Sequence, residues 1–204
     1  MPRPKVLANR QQVILESARA LFGRYGFEKT TVEDIARQAG ISKGAVYLEF
    51  SNKDEIFVAI VRQFKDRELA LMTAHIANAR PPILAKLNEM LLEHIMHVFD
   101  HATSQIHSPE ALLHIHKLVV AKIGFTVVLR DLIAQMLEKA RESKEIARNK
   151  DCTWLADLLM ANIATLLPPY PSNTVVQQFL ARSEFEKKAV ELLEIFLAGL
   201  TVRK

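Results

Sequence analysis

Helix-breaking residues are so unevenly distributed that they leave long stretches of this chain uninterrupted. No proline occurs from Lys5 to Arg80, and four of the six glycines lie within the first 44 residues. Inside the uninterrupted stretches, apolar side chains recur with the 3.6-residue period of an α-helix, and the β-branched clusters are short. The sequence therefore predicts an all-α protein of about nine helices, without an internal repeat.

Capping patterns set the expected ends of the first helices. Thr31 is followed three residues later by Asp34, which is the spacing of a capping box, and Asn52 precedes Glu55 by the same interval. Gly26 lies where a left-handed residue ends the preceding helix. We expect helices at about 8–25, 31–39, 42–50, 53–78, 83–103, 109–122, 125–147, 152–167 and 174–201.

The basic side chains are concentrated at one end of the chain. Residues 1–53 contain nine lysines and arginines against five acidic residues, whereas residues 54–204 contain 18 of each kind. The net charge of +4 therefore comes entirely from the first quarter. This asymmetry indicates an end that faces nucleic acid on an otherwise neutral body, although an unevenly charged solvated surface gives the same count.

The single cysteine and the short apolar runs exclude two classes of protein. Cys152 cannot form an internal disulfide, so a disulfide-stapled secreted fold is excluded. The longest apolar runs, 118–129 and 155–167, have polar interruptions and fall short of the roughly 18 to 20 residues that cross a bilayer. The N-terminus also lacks the apolar core of a signal peptide. We therefore expect a cytoplasmic protein without a membrane partner.

Residues 31–53 have the spacing of a helix-turn-helix. Ala36, Gly40 and Val46 provide the residue types that this motif needs at its helix contact, its turn and its second helix. The second helix, residues 42–49, then lies in the DNA major groove, with its N-terminal residues at base edges and phosphates. A generic helical hairpin is the alternative that this spacing alone leaves open.

Four segments around this motif extend the pattern. They are residues 40–50 (GISKGAVYLEF) and 52–57 (NKDEIF), and upstream 22–27 (FGRYGF) and 31–36 (TVEDIA). Together they resemble the DNA-binding domain of the tetracycline-repressor (TetR) family. The resemblance covers about residues 10–57, and beyond it only the length and the all-helical character are similar to the family.

The resemblance implies a helix-turn-helix DNA-binding domain at 1–52 and a helical effector-binding and dimerisation domain at 53–204. A homodimer, paired through the helices at about 152–167 and 174–201, would bind a pseudo-palindromic double-stranded DNA operator. A small-molecule effector would then release the DNA, so the expected function is that of a repressor.

The implied DNA contacts are carried over position by position. The DNA-binding residues are Thr31, Ser42, Lys43, Gly44, Ala45, Tyr47 and Lys53. Thr31, Tyr47 and Lys53 would contact phosphates, and the first residues of the recognition helix would meet a phosphate or a base edge. Gly44 permits a close approach, and Ala45 touches a thymine methyl group.

One position departs from the family pattern, and the N-terminal arm adds a further basic segment. Where this chain has Glu49, family members often carry histidine or another neutral residue. The carboxylate either accepts a hydrogen bond from cytosine N4 or points to solvent. Arg3 and Lys5 either reach the minor groove as a basic arm or belong to a disordered terminus.

Three histidines lie on the apolar side of the expected helix 83–103. An inward imidazole needs a polar partner, and a binding cavity provides one. The candidate effector-pocket residues are His94, His97, Val98, His101, Phe125 and Trp154. Such a lining suits a largely apolar effector, while ordinary core packing explains the same residues. Metal- or pH-responsive sensing through the three histidines is the alternative, although no cysteine or acid lies obviously beside them.

The sequence does not favour an enzyme. It lacks a glycine-rich phosphate loop, a His-Glu-x-x-His helix and a nucleophile elbow, and we expect no cofactor and no bound metal. Cys152 at a helix start is a candidate for an activated thiol, but a structural thiol is the simpler interpretation. An interaction module that has lost DNA binding is a third class, which the intact DNA-binding residues argue against.

Overall fold

The protein is all α-helical, as seen in a computed structural model that describes residues 4–105, 117, 125–147, 149–166 and 181–201. Eight helices form in this part of the chain: α1 Pro4–Tyr25, α2 Val32–Gln38, α3 Lys43–Tyr47, α4 Lys53–Asn78, α5 Ile83–Gln105, α6 Phe125–Glu142, α7 Cys152–Ala164 and α8 Arg182–Ala198. The described residues form no strand, and Ile146 and Thr201 make an isolated bridge. No described helix is long and apolar enough to cross a membrane.

The helices differ from the expected ones in number and at several of their ends. Helix α1 begins at Pro4 rather than about residue 8, and α8 begins at Arg182 after the non-helical Ala181, so the expected helix 174–201 is not continuous. The described residues hold eight helices rather than about nine, and the expected helix 109–122 lies outside them apart from Lys117. Helix α3 ends at Tyr47 instead of residue 50. Helix α6 ends at Glu142 instead of residue 147, because Lys144 adopts a left-handed φ of 65°. No glycine marks that end, so the usual sequence signal is missing.

The caps predicted for the N-terminal helices are present. The hydroxyl of Thr31 accepts a hydrogen bond from the Asp34 backbone, and the Asp34 carboxylate accepts one from the Thr31 backbone, which completes the capping box. The amide of Asn52 caps α4 by accepting from the Glu55 N–H at 2.9 Å. Gly26 has a φ of 84°, the left-handed conformation expected after α1. Local sequence therefore determines where these helices start and stop.

The chain divides into two compact units. The first unit contains Met1–Lys65 and His101–Ile123, and the second contains Asp66–Asp100 and Gly124–Lys204. Helices α4 and α5 therefore each contribute residues to both units. The domain boundary expected between residues 52 and 53 stays a prediction.

The first unit packs around a triangle of phenylalanines. The rings of Phe22, Phe27 and Phe57 lie 5.3 to 5.7 Å apart, centroid to centroid. The buried side chains around them come from α1, α2, α3 and α4: Ile14, Leu15, Ala18, Val32, Ile35, Ala36, Val46, Ile56 and Ile60. This core joins α1 and the start of α4 to the helix-turn-helix, so it determines where the outer face of α3 lies.

The second unit has its own core, built from α5, α6, α7 and α8 and the end of α4. Phe99 of α5 stacks on Phe185 of α8, with ring centroids 4.1 Å apart. The Glu145 carboxylate caps α5 from a distance, because it accepts hydrogen bonds from the N–H groups of Ile83 and Leu84 at 2.7 and 2.8 Å. Burial acts to raise the pKa of Glu145, and these hydrogen bonds bring it below its usual value.

Candidate nucleic-acid interface

The turn between α2 and α3 has the geometry of a helix-turn-helix. Ala36 and Val46 are buried where the two helices meet. Gly40 has a φ of 67°, a conformation that side chains other than glycine rarely adopt, and the Ile41 N–H donates to the Ala36 carbonyl at 3.0 Å. Ser42 caps α3 by accepting from the Ala45 N–H at 3.1 Å. All three residues of the predicted spacing therefore occupy their expected positions.

The outer face of α3 is exposed and carries the predicted DNA-binding residues. Lys43 is exposed, as are Ser42, Gly44 and Tyr47, whereas Ala45 is half-buried. A Cβ built on Gly44 would meet only the Ser42 hydroxyl, at 3.9 Å. Packing within the protein therefore does not require glycine here, and the close approach of DNA at this position stays a prediction.

Leu48 is an exposed residue that the sequence reasoning did not single out. Its side chain is 77% exposed at the end of α3, beside Tyr47. The signal was present, because a residue two positions after the buried Val46 points about 200° away from it on a helix. Leu48 thus adds an apolar group to the surface that contains Lys43 and Tyr47.

The side chains of Thr31 and Lys53 both donate hydrogen bonds to groups within the protein. The Thr31 hydroxyl lies 2.6 Å from a carboxylate oxygen of Asp34, whose pKa is lowered first by that hydrogen bond. The Lys53 ammonium lies against the loop that joins α1 to α2, where it donates to backbone carbonyls. Their predicted phosphate contacts stay predictions. Lys43 is more exposed than Lys53, although its Nζ lies 3.4 Å from the Glu33 carboxylate.

Glu49 does not point to solvent, so that interpretation from the sequence is corrected, while the contact with cytosine stays a prediction. Its carboxylate accepts hydrogen bonds from Arg10, at 2.7 Å to Nε, and from Gln11, at 2.9 Å to Nε2. The side chain is 6% exposed. The Arg10 hydrogen bond is the main cause of its lowered pKa. Glu49 therefore ties the residues after α3 to α1, across 39 positions of sequence.

We expect the Arg10–Glu49 pair to stabilise the first unit measurably. Glu49→Ala should lower the free energy of unfolding by about 1–3 kcal/mol, since a hydrogen-bonded charge pair with little exposure is lost. A double-mutant cycle with Arg10→Ala, measured by urea unfolding, gives the coupling energy. The exposed Lys86–Glu89 pair is the matched control, and Glu89→Ala should cost less than about 1 kcal/mol. Zero coupling between Arg10 and Glu49 would contradict this assignment.

The three histidines of α5 do not lie together in one site. In the second unit the buried Glu68 of α4 lies between two of them, 3.0 Å from His94 Nδ1 and 3.0 Å from His97 Nδ1. The expectation that no acid lies beside these histidines is therefore wrong. His101 belongs to the first unit, where its ring stacks on Phe64 at 4.3 Å. The described residues contain no group of three ligands placed to hold a metal.

Among the described residues, the cavity beside His94 and His97 does not include the other pocket candidates Val98 and Trp154. The cavity beside His94 and His97 measures about 10 Å³, which is room for a single water molecule. Val98 is half-buried, and Trp154 is 60% exposed, so Trp154 does not line an interior site. The side chain of Phe125 lies outside the described residues.

The thiol of Cys152 is structural in character. Cys152 is buried at the start of α7, and burial, followed by the nearby Glu138 carboxylate, raises its pKa to about 11. A thiol with this pKa is almost fully protonated at neutral pH and therefore weakly nucleophilic. This favours the structural interpretation over an activated cysteine.

The similarity to known sequences is concentrated in the first unit. Residues 14–60 match the family model described as bacterial regulatory proteins, tetR family. YfiR of Bacillus subtilis, an HTH-type transcriptional regulator, is 45% identical over 60 residues, 29% of each chain. The HTH-type transcriptional repressor Rv1474c of Mycobacterium tuberculosis is 39% identical over 72 residues, 33% of this chain and 38% of that protein. The chain thus matches about a third of the length of these relatives, which are named as regulators and not as enzymes.

The similarity to solved structures extends over nearly the whole chain. SmeT, the repressor of the Stenotrophomonas maltophilia multidrug efflux pump SmeDEF, gives a TM-score of 0.71 at 21% identity, over 94% of this chain and 90% of SmeT. The SmeT–triclosan complex gives a TM-score of 0.68 at 19% identity, over 95% and 92%. At such identities the likeness establishes the shared fold alone.

Proposed function

We propose that this chain is a repressor of the TetR family, which binds an operator in double-stranded DNA; residues 14–60 match the model of that family. The observation that carries the proposal is the outer face of α3. Lys43, Gly44 and Tyr47 are exposed there, on a helix whose inner face is held by the fully buried Val46. A lysine, an unhindered backbone and a phenol are the groups that contact phosphates and base edges.

The operator is bound by a homodimer in this proposal. Large apolar side chains are exposed on α7 and α8, with Trp154 at 60%, Leu158 at 38% and Ile195 at 76%. Exposed apolar side chains of this size, on neighbouring helices, are typical of an interface with another chain. A two-fold dimer presents two copies of α3 to half-sites about 34 Å apart, which requires a pseudo-palindromic operator.

Release of the DNA by a largely apolar small molecule completes the proposal. The fold is similar to that of SmeT, which has been solved with triclosan. Helix α4 starts three residues after Phe50 and continues into the second unit, so it provides a covalent path from that unit to the DNA-binding helices. A coupling free energy of about 1–3 kcal/mol between effector and operator is typical of such regulators.

Selection of bound sequences from random DNA duplexes tests this function directly. The purified protein should enrich a two-fold-symmetric consensus at a stated, moderate salt concentration, because affinity depends steeply on salt. Lys43→Ala and Tyr47→Phe should then weaken binding to that consensus. Lys86→Ala, at an exposed lysine of α5, is the matched control and should leave binding unchanged. Failure to enrich any sequence above non-specific binding contradicts the proposal.

A further inference from the structure

Lys53, the first residue of α4, uses all three of its N–H donors on the backbone of one loop. Its Nζ donates to the carbonyl oxygens of Phe27 at 2.7 Å, Thr30 at 2.9 Å and Glu28 at 3.3 Å. An ammonium group has three donors and no acceptor. To bind a phosphate oxygen, this ammonium has to give up at least one of these hydrogen bonds.

The loop of residues 27–30 surrounds the ammonium group. The Phe27 ring lies 4.3 Å from Nζ, a cation–π contact, and Phe27 itself packs in the aromatic triangle of the first unit. Thr30 is 2% exposed, and its hydroxyl donates to the Gly26 carbonyl at 2.9 Å. Burial, the largest effect, lowers the pKa of Lys53, in agreement with this enclosed position.

The loop connects two elements of the DNA-binding unit. It follows the left-handed Gly26 at the end of α1 and leads directly into Thr31, the N-cap of α2. Lys53 therefore links the start of α4 to the end of α1 and the beginning of α2 at once. Helix α2 in turn packs against α3 through Ala36. A shift of the 27–30 loop would therefore also displace α2 and the position of α3.

We propose that Lys53 is a positioning residue, which holds the 27–30 loop and α2 in place, and that it is not a phosphate ligand. The family resemblance implies the other role for this lysine, a phosphate contact, and the experiment below distinguishes the two. The expected effect of Lys53 on DNA affinity rests on the proposed function. Its expected effect on the loop rests on the structure alone.

The test measures duplex binding against salt concentration for matched lysine variants. The probe is a fluorescently labelled, mixed-sequence DNA duplex, and the variants are Lys53→Met and the exposed Lys43→Met. Each phosphate contact contributes about 0.9 to the slope of log affinity against log salt. Lys53→Met should weaken binding at every salt concentration with an unchanged slope, and its Tm should fall by about 4–8 °C. Lys43→Met should reduce the slope and leave the Tm unchanged.

The proposal is overturned if Lys53→Met leaves the Tm unchanged and reduces the slope of log affinity against log salt as much as Lys43→Met does. Lys53→Arg keeps the charge and covers the case in which Lys53→Met fails to fold. A planar guanidinium cannot reproduce the three-carbonyl arrangement, so a positioning role predicts a lower Tm for the arginine variant. A phosphate ligand predicts wild-type Tm and binding instead.

The loop can also be tested without DNA. Backbone amides of residues 27–31 should exchange hydrogen faster in Lys53→Arg than in the wild type, and unchanged exchange contradicts the proposal. If the wild-type protein binds no duplex at all, the proposed function fails, while the exchange and Tm measurements still decide the role of Lys53.

Discussion

Glu68→Ala is expected to lower the free energy of unfolding by about 3 kcal/mol at neutral pH, since it removes a buried carboxylate from between two imidazoles. Glu68 is 3% exposed, and its two oxygens pair with His94 and His97. His94 is 2% exposed, so its Nδ1 loses the Glu68 carboxylate in a largely buried region. Urea unfolding at pH 7 measures the effect.

The same substitution should change the pH dependence of stability in one direction. Burial acts to raise the pKa of Glu68, but the hydrogen bonds and charges of His94 and then His97 outweigh it and lower the pKa. A carboxyl group with a lowered folded-state pKa stabilises the protein above its unfolded value of about 4.3, and this contribution is lost as pH falls through the folded-state value. The difference between wild type and Glu68→Ala should therefore shrink below about pH 4.

Glu93→Ala is the matched control for this prediction. Glu93 also lies beside a histidine, with His75 Nε2 at 3.7 Å, but both side chains are exposed. An exposed pair of this kind contributes less than about 1 kcal/mol. Equal losses in the two variants would mean that burial of Glu68 does not determine its contribution.

Gly44→Leu should weaken duplex DNA binding on the order of 100-fold, which corresponds to about 3 kcal/mol, while the protein remains folded. The space beyond Gly44 is open within the protein, so the leucine side chain extends from the outer face of α3. A DNA backbone that approaches this face closely then meets the side chain. Fluorescence anisotropy with the selected consensus duplex gives the affinity, and thermal unfolding gives the stability.

Gly44→Ala separates the DNA effect from folding. Alanine in a helix is favoured over glycine by about 0.5–1 kcal/mol, and no neighbour obstructs the new Cβ. Stability should therefore rise slightly while DNA affinity falls, so that the two measurements move in opposite directions. Wild-type DNA affinity in both Gly44 variants would show that DNA does not approach α3 here.

The local features of the first unit could be predicted from the sequence because each depends on a few neighbouring residues. The capping box of Thr31, the left-handed Gly40 and the buried Val46 all appear where the pattern placed them. The same reasoning missed the end of α6, since Lys144 adopts a positive φ that no glycine announces. It also missed the exposure of Trp154, because an aromatic residue among aliphatics is usually a core residue.

What the sequence by itself determined is the all-α class, the helix-turn-helix and the resemblance of residues 10–57 to the TetR family, since these follow from periodicity, capping and a short contiguous motif. Only the tertiary structure decided that Glu49 pairs with Arg10, that Glu68 lies between His94 and His97, and that Lys53 binds the 27–30 loop. The partners in these three contacts are 23 to 39 residues apart. Side chains so distant in sequence meet only when whole helices pack, and burial then determines whether a charged group turns outward to a ligand or inward to the protein.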